Sequence, residues 1–114
     1  MARMRKSLSA LLGAALLLGT FSTAANADVK GGQKAYLKKC KRCHGNGTKG
    51  AAMKTQKEWA DAFADDAALF KAWHKDDAKA MQYINSSRFG KDAPNLKDFL
   101  YEYGSDSGNV PSCG

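Results

Sequence analysis

The pattern of apolar and polar positions divides the 114-residue chain at about residue 27. Ahead of that point runs an almost unbroken Leu/Ala stretch, Leu8 to about Phe21. Beyond it apolar residues are sparse and fall at helical spacings. The last segment is the clearest: Leu96, Phe99, Leu100 and Tyr103 stand at i, i+3, i+4 and i+7, and Gly104 is a natural stop. Thr55-Gln56-Lys57-Glu58 matches a capping box, followed by Trp59 and Phe63 at i, i+4. Asp65 or Asp66 is expected to cap a next helix carrying the pairs Leu69/Trp73 and Phe70/His74. Asp76 or Asp77 is expected to cap another, with Ala78, Met81 and Ile84 on one stripe. Gly31–Cys40 reads as a first helix, with Tyr36 and Cys40 on one face, and Gly45, Gly47 and Gly50 as a loop. Asn85 to Ala93 reads as a loop before the last helix, and Ser105–Gly114 as a polar surface extension without periodicity. Only five β-branched residues lie beyond residue 27, which disfavours a sheet. The expectation is an all-α fold of four to five short helices, none stable alone.

The segment 1–27 has the three parts of a secretory signal. Arg3, Arg5 and Lys6 form the basic start, the Leu/Ala run the apolar middle, and Ala25-Asn26-Ala27 the small-x-small site. Gly13 and Gly19 interrupt the run, which is short for a span of about 20 apolar residues. Cleavage is therefore expected before Asp28, giving a periplasmic mature chain without a membrane span.

The remaining 87 residues hold only 11 Leu, Ile, Val and Phe, about 13%. That lies below the roughly 20% under which a chain is suspected of not folding alone. A large self-sufficient enzyme core and a multidomain organisation are excluded. Yet ten aromatics remain, more than plain disorder carries. Some further apolar mass is needed.

Cys40-Lys41-Arg42-Cys43-His44 supplies the reason. C-x-x-C-H is the attachment motif of c-type haem. Two thiols three positions apart reach two vinyl groups on one porphyrin edge, and the next residue is brought under the iron. A thioredoxin-like pair needs a βαβ context that is absent, and a structural zinc site wants four ligands without the usual second pair here. The expected cofactor is one covalent haem c, held by Cys40 and Cys43, with His44 as proximal iron ligand.

With Gly31/Gly32 and Tyr36 ahead of the motif, C-K-R-C-H-G at 40–45 and the aromatic helix Leu96–Tyr103, the chain resembles small monohaem c-type cytochromes of the class I kind. The resemblance covers most of 28–104, which it implies is the haem domain; 105–114 has no counterpart. It implies that the first and last helices cross near the haem, and that the protein shuttles single electrons.

One departure matters. The family places a Met just before the last helix, but Asn85 to Ala93 holds neither Met nor His. The favoured second ligand is His74, the only other histidine. Met81 and Met53 are alternatives, as is an open iron. A Met ligand raises the reduction potential, and a second His leaves it lower.

Charge is placed unevenly. Residues 28–57 carry nine cations against Asp28 alone, whereas 58–114 carry six cations and ten acids. The cations surround the haem-attachment segment, which suits a redox partner with an acidic docking surface. The net charge of the mature chain is small and secretion is expected, so nucleic acid is a poor partner. Cys113 is left over and is a candidate for a disulfide dimer.

No general acid, base or nucleophile constellation is present, so no catalytic residue is expected and the chemistry belongs to the cofactor. The expected function is that of a periplasmic single-electron carrier rather than an enzyme. A haem-based ligand binder or sensor, and a haem subunit of a larger periplasmic oxidoreductase, are the alternatives. The shortage of apolar side chains predicts that the mature chain carrying Cys40→Ala and Cys43→Ala, and hence lacking haem, is largely unfolded by far-ultraviolet circular dichroism.

Overall fold

A computed structural model describes residues 27–114, so the expected signal peptide lies, but for Ala27, outside the described residues. Among the described residues there are six helices and no strand. They are α1 (Val29–Lys39), α2 (Lys41–His44), α3 (Gly47–Ala51), α4 (Gln56–His74), α5 (Ala78–Ile84) and α6 (Ser87–Glu102). The excess over the expected four or five comes from α2 and α3, single turns formed by the C-x-x-C-H segment and the glycine stretch after it.

Capping residues fix where the helices begin. Asp28 accepts from the Lys30 N–H at 3.0 Å, and Thr55 and Glu58 form the expected reciprocal box. Asp77, not Asp76, caps α5 by accepting from the Ala80 N–H at 3.0 Å. On that helix Ile84 is buried and Met81 half-buried, while Ala78 is exposed.

α1 lies across α6, and Gly32 allows the close approach. A Cβ there would overlap the Asn95 carbonyl and the Phe99 Cβ. Leu96, Phe99 and Leu100 are all buried against this crossing. α6 starts seven residues before the expected Ala93 boundary, so the Asn85 to Ala93 loop is corrected to mostly helix. Ser86 caps it, and Arg88 and Asp92 pair at 3.2 Å one turn apart. Pro94 is tolerated inside because the carbonyl its ring displaces belongs to Gly90, which is exposed and open to water.

α4 is a hairpin rather than a rod. Trp59 and Trp73 are 14 positions apart, which in a straight helix means about 21 Å. Their ring centroids are 6.3 Å apart. The chain doubles back through Asp65, Asp66 and Ala67, all with φ between 54° and 58°. Left-handed backbone costs about 1–2 kcal/mol per residue, least for Asp and Asn. Asp65 and Asp66 therefore build the turn between two helical limbs instead of capping the second. Asp66 pairs with Lys71 at 3.2 Å, and Phe63 meets Phe70 across the turn at 4.9 Å.

The segment Ser105–Gly114 is irregular as expected, but it is tied down. The Ser105 N–H donates to the Lys54 carbonyl, Asp106 accepts from the Gln56 N–H, and the Gly47 N–H donates to the Gly114 carbonyl. Pro111 is buried. Both ends of the 47–54 stretch are thereby held.

Two glycines test the crossing. Gly32→Ala is expected to lower stability by about 1–3 kcal/mol through overpacking. Gly90→Ala meets nothing within 4 Å and is expected to raise it by about 0.5–1 kcal/mol. Urea unfolding of both variants measures the contrast.

Candidate haem site

The site is assembled from three elements around two adjoining cavities. Cys40 ends α1, Cys43 and His44 lie on α2, and His74 ends the second limb of α4. The Cys40 N–H donates to Tyr36, and the Cys43 and His44 N–H groups donate to Cys40. The C-x-x-C-H run is thus a helical turn that sets both sulfurs and the imidazole on one side. Cys40 is half-buried and Cys43 exposed. Burial, then the Cys43 and Asp92 charges, push the Cys40 thiol up to about 12.

The His44 and His74 rings adjoin each other nearly at right angles, centroids 6.0 Å apart and planes at 84°. A metal–imidazole nitrogen bond is about 2 Å and the ring nitrogen to centroid adds about 1 Å, so two imidazoles across one metal ion stand about 6 Å apart. His74 Nδ1 lies 2.7 Å from the Phe70 carbonyl. A carbonyl only accepts, so Nδ1 carries the proton and Nε2 keeps a free lone pair. Desolvation, then the neighbouring His74, lowers the His44 pKa, against an upward pull from Asp77. The lowered pKa favours a neutral His44 imidazole. Phe70 packs against His74 with ring centroids 4.5 Å apart and planes tilted by 37°.

Cys40, Cys43 and both histidines line both cavities. The first, about 370 Å³, has apolar walls that include Trp59, Phe70, Leu96 and Leu100. The second, about 520 Å³, opens between α1 and α5 and is lined by Lys38, Lys39, Arg42, Lys79 and Arg88. A flat apolar plate passing between the two imidazoles would extend into both. The residues present therefore fit a haem: Cys40 and Cys43 would supply two thiols, His44 and His74 two nitrogen donors, and the first cavity an apolar wall. Among the described residues no three His, Cys, Asp or Glu side chains are grouped so as to hold an ion by themselves.

Met53 lies on the wall of the first cavity and is half exposed, whereas Met81 lines neither. Cys113 is exposed on the docked tail, away from both cavities.

A family model described as cytochrome c oxidase, cbb3-type, subunit III matches residues 27–100. The chain belongs to this family of c-type cytochromes. Neither a curated protein nor a solved structure gave a match. The all-helical architecture is that of a cytochrome c-like fold, and the family's chemistry is haem-based electron transfer.

Several wall residues of this cytochrome were not visible as such in the sequence. Trp59 is placed by its indole N–H, which donates to the Ala51 carbonyl at 2.8 Å. Tyr36 donates from its hydroxyl to the Gly45 carbonyl at 2.8 Å and packs on Gly50, where a Cβ would strike the phenol. Lys79 and Arg88 come from the acidic half of the chain, yet join the cationic cavity. No sequence signal marks them.

Desolvation, then the Cys40 charge, raises the Tyr36 pKa from 10.0 to about 12. Between those values the unfolded chain loses a proton that the folded chain keeps, so this contribution to stability is full below pH 10.0 and lost as pH rises toward 12. Tyr36→Phe is expected to flatten that fall, while costing about 1 kcal/mol at neutral pH through the lost hydrogen bond. Urea midpoints across the alkaline range read both effects.

Proposed function

We propose that the chain is a periplasmic single-electron carrier with one haem c, bound covalently through Cys40 and Cys43 and ligated by His44 and His74. The observation that carries this reading is the adjoining pair of imidazoles that lines both cavities, with Nε2 of His74 left free by the Phe70 carbonyl. Haem held there supplies a one-electron Fe(II)/Fe(III) couple. The chain's own residues do the rest. The α2 turn sets the two sulfurs and His44. The Phe70 carbonyl and ring orient His74. Trp59, Leu96 and Leu100 keep water from one edge. Two imidazoles and no sulfur ligand favour a low reduction potential.

Lys38, Lys39, Arg42, Lys79 and Arg88 make the more open cavity a cationic face, with Asp77 the single acid on its wall. This face is suited to an acidic redox partner, drawn in by long-range attraction. Export by the segment 1–27 is part of the same proposal, since c-type cytochrome domains are typically extracytoplasmic. Among the described residues no helix is long and apolar enough to cross a membrane.

A second reading is favoured by the family's description as an oxidase subunit: the chain works as the haem c subunit of a larger periplasmic oxidoreductase. Co-purification with a catalytic chain distinguishes it from a free carrier.

Visible spectra of the oxidised and reduced protein test the ligation. The expected result is a low-spin haem c spectrum without a far-red sulfur-to-iron band. It should be lost in His74→Ala and kept in Met53→Ala and Met81→Ala. A sulfur band, or an unchanged spectrum in His74→Ala, overturns the assignment.

A further inference from the structure

We infer that Asp77 is the charge that sets the redox poise of this site, its carboxylate holding the iron between His44 and His74 toward the oxidised state. The inference rests on the haem reading above and deepens it.

Asp77 is the only acid on the wall of either cavity, and it lines both, as do His44 and His74. Every other formally charged side chain on those walls is cationic: Lys54 on the first, Lys38, Lys39, Arg42, Lys79 and Arg88 on the second. Among the described residues none of the ion pairs involves Asp77, so no partner cancels its charge.

Its position is built rather than incidental. The Asp77 N–H donates to the His74 carbonyl at 2.9 Å, three residues after the ligand. Its Oδ1 accepts from the Ala80 N–H at 3.0 Å and so caps α5. Backbone and side chain are each fixed by one hydrogen bond, which keeps the carboxylate at the junction of α4 and α5.

Reduction takes one electron from the redox partner and makes or breaks no bond. It lowers the charge of the site by one. A fixed anion nearby opposes that change, and the surrounding cations favour it. The cations that suit the face to an acidic partner would by themselves make the site a stronger oxidant. Asp77 offsets them from a position that lines both cavities.

The cap and the charge can be separated. Asn and Ser cap helices about as well as Asp, so Asp77→Asn and Asp77→Ser remove the charge and keep α5 in place. Asp76 is adjacent and also exposed, but lines neither cavity. Asp76→Asn therefore removes the same formal charge from the wrong place.

The measurement is a redox titration of the haem-loaded protein at low ionic strength, followed by the visible spectrum. Asp77→Asn and Asp77→Ser are expected to favour the reduced form by about three- to tenfold, tenfold being about 59 mV for one electron. Their spectra and melting temperatures should match wild type. Asp76→Asn should leave the potential unchanged. An unshifted potential in both Asp77 variants, or an equal shift in Asp76→Asn, overturns the inference while the haem reading stands. A wild-type protein that takes up no haem overturns both.

Discussion

The close crossing of α1 on α6 at Gly32 is the constraint on which the other positions depend. Without a side chain at Gly32, α1 lies directly on the Asn95–Phe99 backbone. Tyr36, one turn further along α1, then reaches over to fasten the glycine stretch at Gly45 and Asn46. Cys40 follows at the end of α1, and the α2 turn presents Cys43 and His44 beside it. On the other helix the same crossing leaves Leu96 and Leu100 buried yet still on the cavity wall. One backbone contact thus aligns Cys40, Cys43 and His44 with the apolar surface behind them.

The second determinant is the left-handed turn at Asp65, Asp66 and Ala67. It folds α4 back on itself, so that Trp59 and Trp73 meet and His74 returns to the region of His44. Backbone of this kind is costly. Aromatic contacts oppose that cost: Phe63 on Phe70 across the hairpin at 4.9 Å, and Phe70 on Phe89 of α6 at 5.6 Å. Much of the hydrophobic material of the chain is therefore aromatic and arranged as walls. This suits a fold whose own aliphatic residues are few and whose cavities accept a large flat apolar group.

Much of the local structure was legible in the sequence. The capping box at Thr55, the stripe Leu96–Tyr103 and the C-x-x-C-H spacing each depend on neighbours within a turn or two, and each has a local physical reason. Other expectations stayed open or failed where local signals were equal or opposed. Asp76 and Asp77 are equivalent as caps by type, and the backbone bond from Asp77 to His74 separates them. Gly90 and Pro94 weaken a helix on propensity, yet Ser86 capping and the burial of Phe89 carry α6 through them. The tail looked like a free extension because its anchors, at Gln33, Gly47 and Lys54, are far away in sequence.

The sequence by itself determined the helical class, the C-x-x-C-H spacing of Cys40, Cys43 and His44, and the concentration of cations in residues 28–57. These follow from spacing and composition, which tertiary contacts do not alter. Only the tertiary structure decided which distant residue adjoins His44. His74, Met53 and Met81 were all available by chemistry. His74 stands beside His44 because the hairpin brings residues 30 positions apart into contact. It also decided that Lys79, Arg88 and Asp77 stand at the same cavity as the cations of α1. Side chains so far apart along the chain share no periodicity, and only packing brings their charges to one place.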